Sequence, residues 1–369
     1  MIKNGHYYPD WIWKNKLHYD HEKQQFDGSC AFCYIEGNKR GGKSVGVGIY
    51  ALVDWFKYKY RCVYICRYQD DIENSGVLPV ESFWKKCWRW INSDEVRVKD
   101  IDDHELSFKG HKVYIDGELF CYPVSLNKAN KFKSGDFDNV HLGIYDECVA
   151  EDGTELPDEV FNLYLLYDTI ARSRDDALKD TSIVLISNCI TKASSIKEEL
   201  GIAKEIRNDT KRLLRKQYGY CYERVLNSIV QEEIEGSAIA KLQRHGEVGK
   251  RFLGYAQNNE FRDNESFVMK KPPRGNYVYM DNVTYNGKTY AIKFYKEEGL
   301  YYFTSSGIDN DYPNNYALTR QDHSFNTVLL YTPNIKRKFD QYKLHFGAGN
   351  FRFNTLATKN VFMDIYKYL

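Results

Sequence analysis

The sequence predicts an α/β chain with a mostly parallel sheet in its N-terminal half and a small α+β domain at its C-terminal end. Patterns typical of buried strands alternate with helical patterns in the first half, as in sheets with crossover helices; these strands cover residues 30–35, 61–67, 140–145 and 181–188. After residue 276, strand patterns follow one another as a meander across the turn signals Asn286-Gly287 and Glu298-Gly299, and a helical pattern follows near residues 360–368. We therefore predict a first domain over 1–193, a helical linker over 194–275, and a second domain over 276–369.

Composition limits the classes of function. Lys and Arg number 52 against 51 Asp and Glu, so no overall charge indicates a nucleic-acid partner. The nine cysteines form no disulfide framework, and we interpret Cys30-x-x-Cys33 as structural because its thiols would point to opposite faces of a strand. The N-terminus has no apolar signal segment, and no apolar run has the length of a membrane span. We expect an intracellular protein that does not enter membranes.

One loop carries the clearest chemistry. Gly37, Gly42, Lys43 and Ser44 fit the P-loop pattern G-x-x-x-x-G-K-[ST], between a strand pattern and a helical pattern. Such a loop surrounds phosphates with main-chain N–H groups, while the lysine reaches the β- and γ-phosphates and the serine hydroxyl faces Mg²⁺. We expect ATP and Mg²⁺ as cofactors, with the phosphates bound by Gly37, Asn38, Lys39, Arg40, Gly41, Gly42, Lys43 and Ser44.

A second motif follows the apolar strand at 140–145. Asp146 and Glu147 end this strand, about 100 residues after the P-loop. We predict that Asp146 joins Ser44 at the metal and that Glu147 activates the attacking water. Asn188, at the end of the next strand, is our candidate for sensing the γ-phosphate, and Ser187 is the second choice. Together these motifs predict a P-loop ATPase domain of the ASCE type.

Two further groups are candidates for contacts with the nucleotide. Arg172 and Arg174 lie at a predicted helix end, where either could act as an arginine finger on a neighbouring subunit; a solvated helix end is the alternative. Residues 24–26 precede the P-loop strand and are candidates for an adenine pocket by position alone.

The motifs together resemble those of large terminases, the ATPases that pump DNA into viral proheads. The resemblance includes Arg67 and the segment 133–138, and the length and the tail 351–360 are most similar to the packaging ATPases of φ29-like phages. It implies a homomeric ring, with five subunits expected, that docks transiently at the portal of a prohead in the host cytoplasm. Double-stranded DNA is the implied partner, a structural RNA is a further candidate, and Lys128, Lys131 and Lys133 could grip phosphates.

Large terminases also carry an RNase H-like nuclease domain in which clustered carboxylates bind two metals. Asp281 matches the first such acid, whereas Asp309, Asp311 and Asp364 are weak candidates for the others. We therefore expect a vestigial nuclease fold without cleavage. Three alternatives stay open: a terminase with an active nuclease, a P-loop helicase or recombinase, and a nucleotide-binding adaptor or structural component at the portal.

Overall fold

The chain divides into two compact units, residues 1–262 and 263–369, which we describe separately. The structure is a computed structural model. It describes residues 2–3, 6–38, 40–73, 79–91, 98, 101–132, 137–149, 155–156, 158–172, 176–189, 191, 193–207, 210–225, 267–330 and 332–368.

The described part of the N-terminal unit is built from strands and helices that alternate through most of its length. The strands are β1 (Ile2–Lys3), β2 (His6–Tyr7), β3 (His18–Asp20), β4 (Gln25–Asp27), β5 (Phe32–Gly37), β6 (Arg61–Cys66), β7 (Leu106–Lys109), β8 (Lys112–Ile115), β9 (Glu118–Ser125), β10 (Val140–Tyr145), β11 (Ser182–Asn188), β12 (Arg212–Arg215) and β13 (Tyr220–Val225). The α-helices are α1 (Asp10–Asn15), α2 (Lys43–Tyr58), α3 (Asp70–Glu73), α4 (Pro79–Trp90), α5 (Glu159–Ala171), α6 (Ala177–Asp180), α7 (Ser195–Glu199) and α8 (Ile202–Glu205). Short 3₁₀ segments cover Ile101–Asp103, Leu126–Phe132 and Lys216–Tyr218.

Nine of these strands form one mixed sheet in the order β12-β13-β5-β11-β10-β6-β9-β8-β7. The six central strands, from β13 to β9, run parallel, and antiparallel pairs occur only toward the two edges. β11 lies between β5, which leads into the P-loop, and β10, which ends at Asp146. The carboxyl ends of β5, β11 and β10 therefore meet at one edge of the sheet, as the motifs required.

Helices cover both faces of the sheet because its central strands are apolar on both sides. Cys33 and Ile35 pack with α2 and α4 in one core, whereas Phe32 and Tyr34 pack with α5 in the other. Trp55 on α2 and Trp84 on α4 are among the largest side chains with almost no exposed surface. Burying aromatic side chains of this size supplies much of the free energy of folding, so this core anchors the helix that begins in the P-loop.

The predicted helical linker is wrong over residues 212–225. β12 and β13 form a hairpin there, and β13 joins the sheet beside β5. Helices occur in the first part of the segment, as α7 and α8. Tyr220 and Tyr222 pack in the core on one face of the sheet and Cys221 packs in the core on the other face, as successive residues of a strand do.

The described part of the C-terminal unit is a sheet packed against two helices. Its elements are β14 (Tyr277–Tyr285), β15 (Lys288–Tyr295), β16 (Leu300–Thr304), β17 (Asn315–Ala317), β18 (Val328–Leu329), α9 (Pro333–Gly347), β19 (Phe351–Phe353) and α10 (Leu356–Tyr368). The strand order is β18-β17-β14-β15-β16-β19. β14, β15 and β16 form the predicted antiparallel meander, and β17 lies parallel to β14. The predicted final helix is confirmed, whereas α9 was not predicted.

Residues near 268 belong to this second unit, although the sequence placed them in the linker. Val268 bridges to Phe353, and the main-chain N–H of Met269 donates to the Phe353 carbonyl at 2.7 Å.

Among the helices that the structure describes, none combines the length and the hydropathy needed to cross a bilayer.

Candidate nucleotide-binding site

The loop after β5 has the backbone that a P-loop needs. Gly42 has φ of +80°, a left-handed conformation that glycine adopts without steric cost, and it precedes the first residue of α2. A Cβ at Gly37 would lie 2.1 Å from the carbonyl oxygen of Val225, so glycine allows β13 to approach this strand end closely. Asn38 and Gly41 are buried and Arg40 is exposed, whereas Lys39 lies outside the described residues.

The Lys43 amine is held inside its own loop. It donates to the carbonyl oxygens of Gly37 at 3.1 Å and Asn38 at 2.7 Å, and to Oδ1 of Asn188 at 3.2 Å. Burial lowers the pKa of Lys43 to about 8, although nearby carboxylates, among them Asp146, act in the opposite direction. The structure thus brings two predicted residues, Lys43 and Asn188, into direct contact.

The two main motifs also meet directly. The Ser44 hydroxyl donates to Oδ1 of Asp146 at 2.8 Å, although 102 residues separate them. Burial raises the pKa of the Asp146 carboxyl, while the bond from Ser44 and the Lys43 charge favour the ionised form. Over the described ranges, no group of three or more His, Cys, Asp or Glu side chains is arranged to hold a metal. A hydroxyl beside one carboxylate is instead the donor set that Mg²⁺ uses when phosphates and waters complete its shell.

Glu147 differs from its neighbour in both exposure and backbone. Its side chain is exposed, and its φ of +53° lies in the left-handed region. That conformation costs a non-glycine residue about 1 kcal/mol, and backbone strain of this kind is concentrated at functional sites. Its main-chain N–H donates to Asp146 at 3.0 Å, which fixes the turn between the two acidic residues.

Ser187, the second choice for a sensor, has a structural role in the core. It accepts from the Tyr34 hydroxyl at 3.0 Å and donates to Glu36 at 3.4 Å. Its side chain therefore lies inside the sheet layer, next to the strand that leads into the loop. Asn188 is the residue of this strand end that contacts Lys43.

The arginine and lysine candidates are described only in part, and those that are described lie apart from the P-loop contacts. Arg172 is exposed at the end of α5 and forms an ion pair with Asp168 one turn earlier, while Arg174 lies outside the described residues. Lys128 is half-buried and Lys131 is exposed in the 3₁₀ segment after β9, while Lys133 lies outside the described residues. No bond in the described part of the chain links these residues to Lys43 or Asp146.

The suggested adenine pocket is wrong. Residues 24–26 lie in the β3–β4 hairpin, where Phe26 contacts Lys179 just before β11. This is the end of the sheet opposite to the P-loop. Near its first turn, the P-loop helix meets Tyr7, whose carbonyl oxygen would lie 2.3 Å from a Cβ at Gly46. Farther along, Trp13 donates to Asp54 of the same helix at 2.9 Å.

Two buried ion pairs beside the site were not predicted as such. Arg67, noted in the sequence as a motif residue, pairs with Glu159 at 3.2 Å and also donates to the carbonyl of Cys148. It thereby ties the segment after Glu147 to the start of α5. The second pair joins Glu36 to Lys197. A glutamate in the otherwise apolar strand 32–37 was the available signal, but its partner could not be read from the sequence.

In the C-terminal unit, Asp281 is fully buried on β14. Its carboxylate pairs with the ammonium of Lys338 and accepts from the hydroxyl of Tyr342, both on α9. Asp309 instead lies after β16, where its main-chain N–H donates to the Tyr279 hydroxyl of β14 and its carboxylate accepts from the N–H of Asp311. In the ranges that the structure covers, no cluster of three acidic side chains is formed around Asp281.

Comparison with known proteins agrees with this geometry. The family model described as Podovirus DNA encapsidation protein (Gp16) matches residues 14–369. The chain is similar to the DNA packaging protein of Bacillus phage phi29, with 23% identity over 341 residues, 90% of this chain and 92% of the relative. It is 22% identical to the DNA packaging protein of Bacillus phage B103 over 341 residues, 90% of this chain and 96% of that one.

Two solved structures share the fold. One is described as the bacteriophage Phi-29 viral genome packaging motor assembly, with a TM-score of 0.61, 20% identity, and coverage of 98% of this chain and 99% of that chain. The other is described as the Phi-28 gp11 DNA packaging motor, with a TM-score of 0.63, 18% identity, and coverage of 98% and 96%. Because the family model matches nearly the whole sequence, this chain belongs to the podovirus DNA encapsidation protein (Gp16) family.

Proposed function

We propose that this chain is the ATP-hydrolysing subunit of a motor that drives double-stranded DNA into a phage prohead. The observation that carries the proposal is the bond between Ser44 and Asp146, which assembles the P-loop and the acidic strand end into one site. Family membership supports the packaging role, and the contact of Asn188 with Lys43 supports a hydrolytic site.

The proposed chemistry assigns a role to each residue of the site. Main-chain N–H groups of residues 37–44 bind the phosphates, and the Lys43 amine exchanges its carbonyl partners for phosphate oxygens. Ser44 and Asp146 would hold Mg²⁺, which supplies neutralisation of phosphate charge when bound. Glu147 accepts the proton of the attacking water, and its exposed position leaves it accessible to that water.

The remaining residues act on the leaving phosphate. Asn188 donates its amide N–H to the γ-phosphate, since its carbonyl oxygen already faces Lys43. Arg174, or Arg172, reaches the site of a neighbouring subunit in the ring and stabilises charge as the bond to the γ-phosphate breaks. Arg172 is exposed and its ion pair with Asp168 lies on the surface. Breaking this pair so that Arg172 can contact a neighbouring subunit therefore costs little free energy.

The proposed assembly is a homomeric ring, with five subunits expected, docked at the prohead portal in the host cytoplasm. DNA passes through the ring, and Lys128, Lys131 and Lys133 contact its phosphates. Contacts with the phosphate backbone suit a motor that must move any sequence. A structural RNA is a further candidate partner of the assembly.

The C-terminal unit is proposed to be an RNase H-like fold that does not cleave. Its meander with a parallel strand beside β14 supports the fold, and the Lys338 ammonium on Asp281 supports the loss of cleavage. A carboxylate that already bears an internal cation is a poor ligand for a metal ion.

The test is ATP turnover across a range of protein concentrations, with and without duplex DNA, with Lys43→Ala as the blank. The proposal predicts turnover that rises more steeply than protein concentration and increases further with DNA. Nucleotide binding without turnover, at high concentration and with DNA and prohead present, would instead support an adaptor role.

A further inference from the structure

Glu36 and Lys197 form an ion pair in which neither side chain has any exposed surface. Glu36 is the penultimate residue of β5, directly before Gly37, and Lys197 lies in α7. Charged side chains are rarely buried completely, and a buried ion pair stabilises a fold little better than apolar side chains of the same volume. Fold stability alone therefore gives a weak reason for this pair.

The pair joins four elements at the carboxyl end of the sheet. The Glu36 carboxylate also accepts from the Tyr222 hydroxyl of β13 at 2.8 Å and from the Ser187 hydroxyl of β11 at 3.4 Å. The Lys197 ammonium donates in addition to the carbonyl oxygen of Thr191 at 2.6 Å. With these bonds, both charges of the pair have polar partners inside the core.

These contacts flank the residues that act on the nucleotide. In the register of β5 and β11, Glu36 lies opposite Ser187, and Gly37 lies opposite Asn188. Lys197 thus holds Glu36, the strand residue before Gly37, and bonds Thr191, three residues after Asn188. The spacing between the Lys43 amine and the Asn188 amide, 3.2 Å in this structure, depends on the two segments that Lys197 connects.

We propose that Lys197 is a positioning residue that sets the distance between the P-loop and Asn188 and thereby the rate of hydrolysis. The inference rests on the proposed ATPase function. Phosphate binding uses the loop N–H groups and Lys43, whereas the Lys197 ammonium bonds Glu36 and Thr191, so nucleotide affinity should change little. The hydrolytic step requires the Asn188 amide in place, and misplacement of a group by about 1 Å can lower a rate by roughly 100-fold.

Two variants test the proposal. Lys197→Met keeps the length of the side chain without its charge, and Glu36→Gln/Lys197→Met removes both buried charges together. We expect the double variant to melt near the wild-type temperature, to keep KM for ATP within about threefold, and to lose roughly tenfold or more in kcat. Lys338→Met is the matched control, because it removes an ammonium from the buried Asp281 carboxylate in the other unit; its kcat and KM should match the wild type.

The background of Asn188→Ala separates positioning from general damage. If Lys197 acts through Asn188, the loss of kcat caused by Glu36→Gln/Lys197→Met disappears once Asn188 is alanine, because effects that share one partner are not additive. A folded double variant with wild-type kcat would overturn the proposal. So would a loss of the same factor in both backgrounds.

The remaining outcomes are also decisive. If Lys197→Met alone does not fold, the double variant provides the comparison; if neither folds, the pair is a folding element and the proposal is wrong. If the proposed ATPase function is wrong, the result differs: Lys43→Ala turns over ATP at the same rate as the wild type. Loss of turnover in Lys43→Ala together with an additive effect of the pair would reject the role of Lys197 alone.

Discussion

The Ser44 hydroxyl donates to Asp146 at 2.8 Å and thereby closes the gap between two motifs that lie 102 residues apart in the chain. β5 and β10 are not neighbours in the sheet, because β11 lies between them. The contact is made across the carboxyl edge, where α2 begins and β10 ends. This edge is the position at which open α/β sheets bind their ligands.

Loss of the Ser44 hydroxyl should weaken the binding of Mg²⁺ more than the binding of the nucleotide. We expect Ser44→Ala to raise the Mg²⁺ concentration needed for half-maximal turnover by roughly ten- to a hundredfold, because one oxygen donor is lost. Ser44→Thr keeps the hydroxyl and serves as the control. A Mg²⁺ titration of turnover measures the effect, and equal Mg²⁺ requirements for Ser44→Ala and wild type would exclude Ser44 as a ligand.

The lowered pKa of Lys43 makes nucleotide affinity dependent on pH. With a pKa of about 8 in this structure, below the ordinary 10.5, the amine is increasingly neutral above pH 8. Phosphate binding favours the ammonium, so binding above that pH must take up a proton and should weaken by up to about tenfold per pH unit. Calorimetric titration of an ATP analogue at pH 7 to 9.5, in two buffers, measures affinity and proton uptake. Lys43→Ala should bind weakly and lose this dependence, and a wild-type affinity that stays constant would contradict the assignment.

Turnover by rings of mixed subunit composition should identify an arginine finger. We expect Arg174→Ala to lower turnover about a thousandfold or more, because an arginine finger raises the rate of phosphoryl transfer by at least that factor in other enzymes. Action in trans should appear in rings mixed from Arg174→Ala and Lys43→Ala subunits, because an intact site of the first variant then receives the arginine of the second, and part of the turnover that each variant lacks alone is restored. Turnover measured against the fraction of variant tests this, and Arg172→Ala identifies which arginine acts. Mixed rings that stay as inactive as their parent variants, for Arg174→Ala and for Arg172→Ala alike, would rule out action in trans.

Asp281 should behave as part of a structural ion pair. Among the described residues, Lys338→Met leaves the Tyr342 hydroxyl as the partner of the buried carboxylate. The change should destabilise the C-terminal unit by about 2 kcal/mol, less than for a pair buried on both sides because a third of the Lys338 side chain is exposed. Urea denaturation measures this loss. Neither the wild type nor Asp281→Asn should cleave plasmid DNA with Mn²⁺; cleavage by the wild type that Asp281→Asn abolishes would restore the active-nuclease alternative.

The positions predicted best from the sequence are those at the carboxyl ends of apolar strands. Gly37 and Asn188 end the buried parallel strands β5 and β11, and Asp146 directly follows β10, so their proximity follows from the topology alone. The hairpin at 212–225 was missed because it lies within the segment interpreted as a helical linker, although Tyr220 and Tyr222 alternate in the sequence as a strand requires.

Contacts between distant elements could not be predicted. Glu36 and Lys197 are 161 residues apart, and nothing in a single sequence states which charged residue neutralises a buried one. The same holds for Arg67 and Glu159, 92 residues apart. Residues 24–26 were misplaced because closeness to the P-loop in sequence does not give closeness in space when a full strand intervenes.

The most direct test of the packaging account is ATP-driven uptake of duplex DNA into proheads, measured as DNA protected from nuclease. The variant to compare with the wild type is Glu147→Gln, which removes the base but keeps the shape of the side chain. We expect wild-type protein to protect DNA, and Glu147→Gln to bind ATP normally yet hydrolyse it at least about a hundredfold more slowly and protect none. Equal protection of DNA by the two proteins would contradict the account.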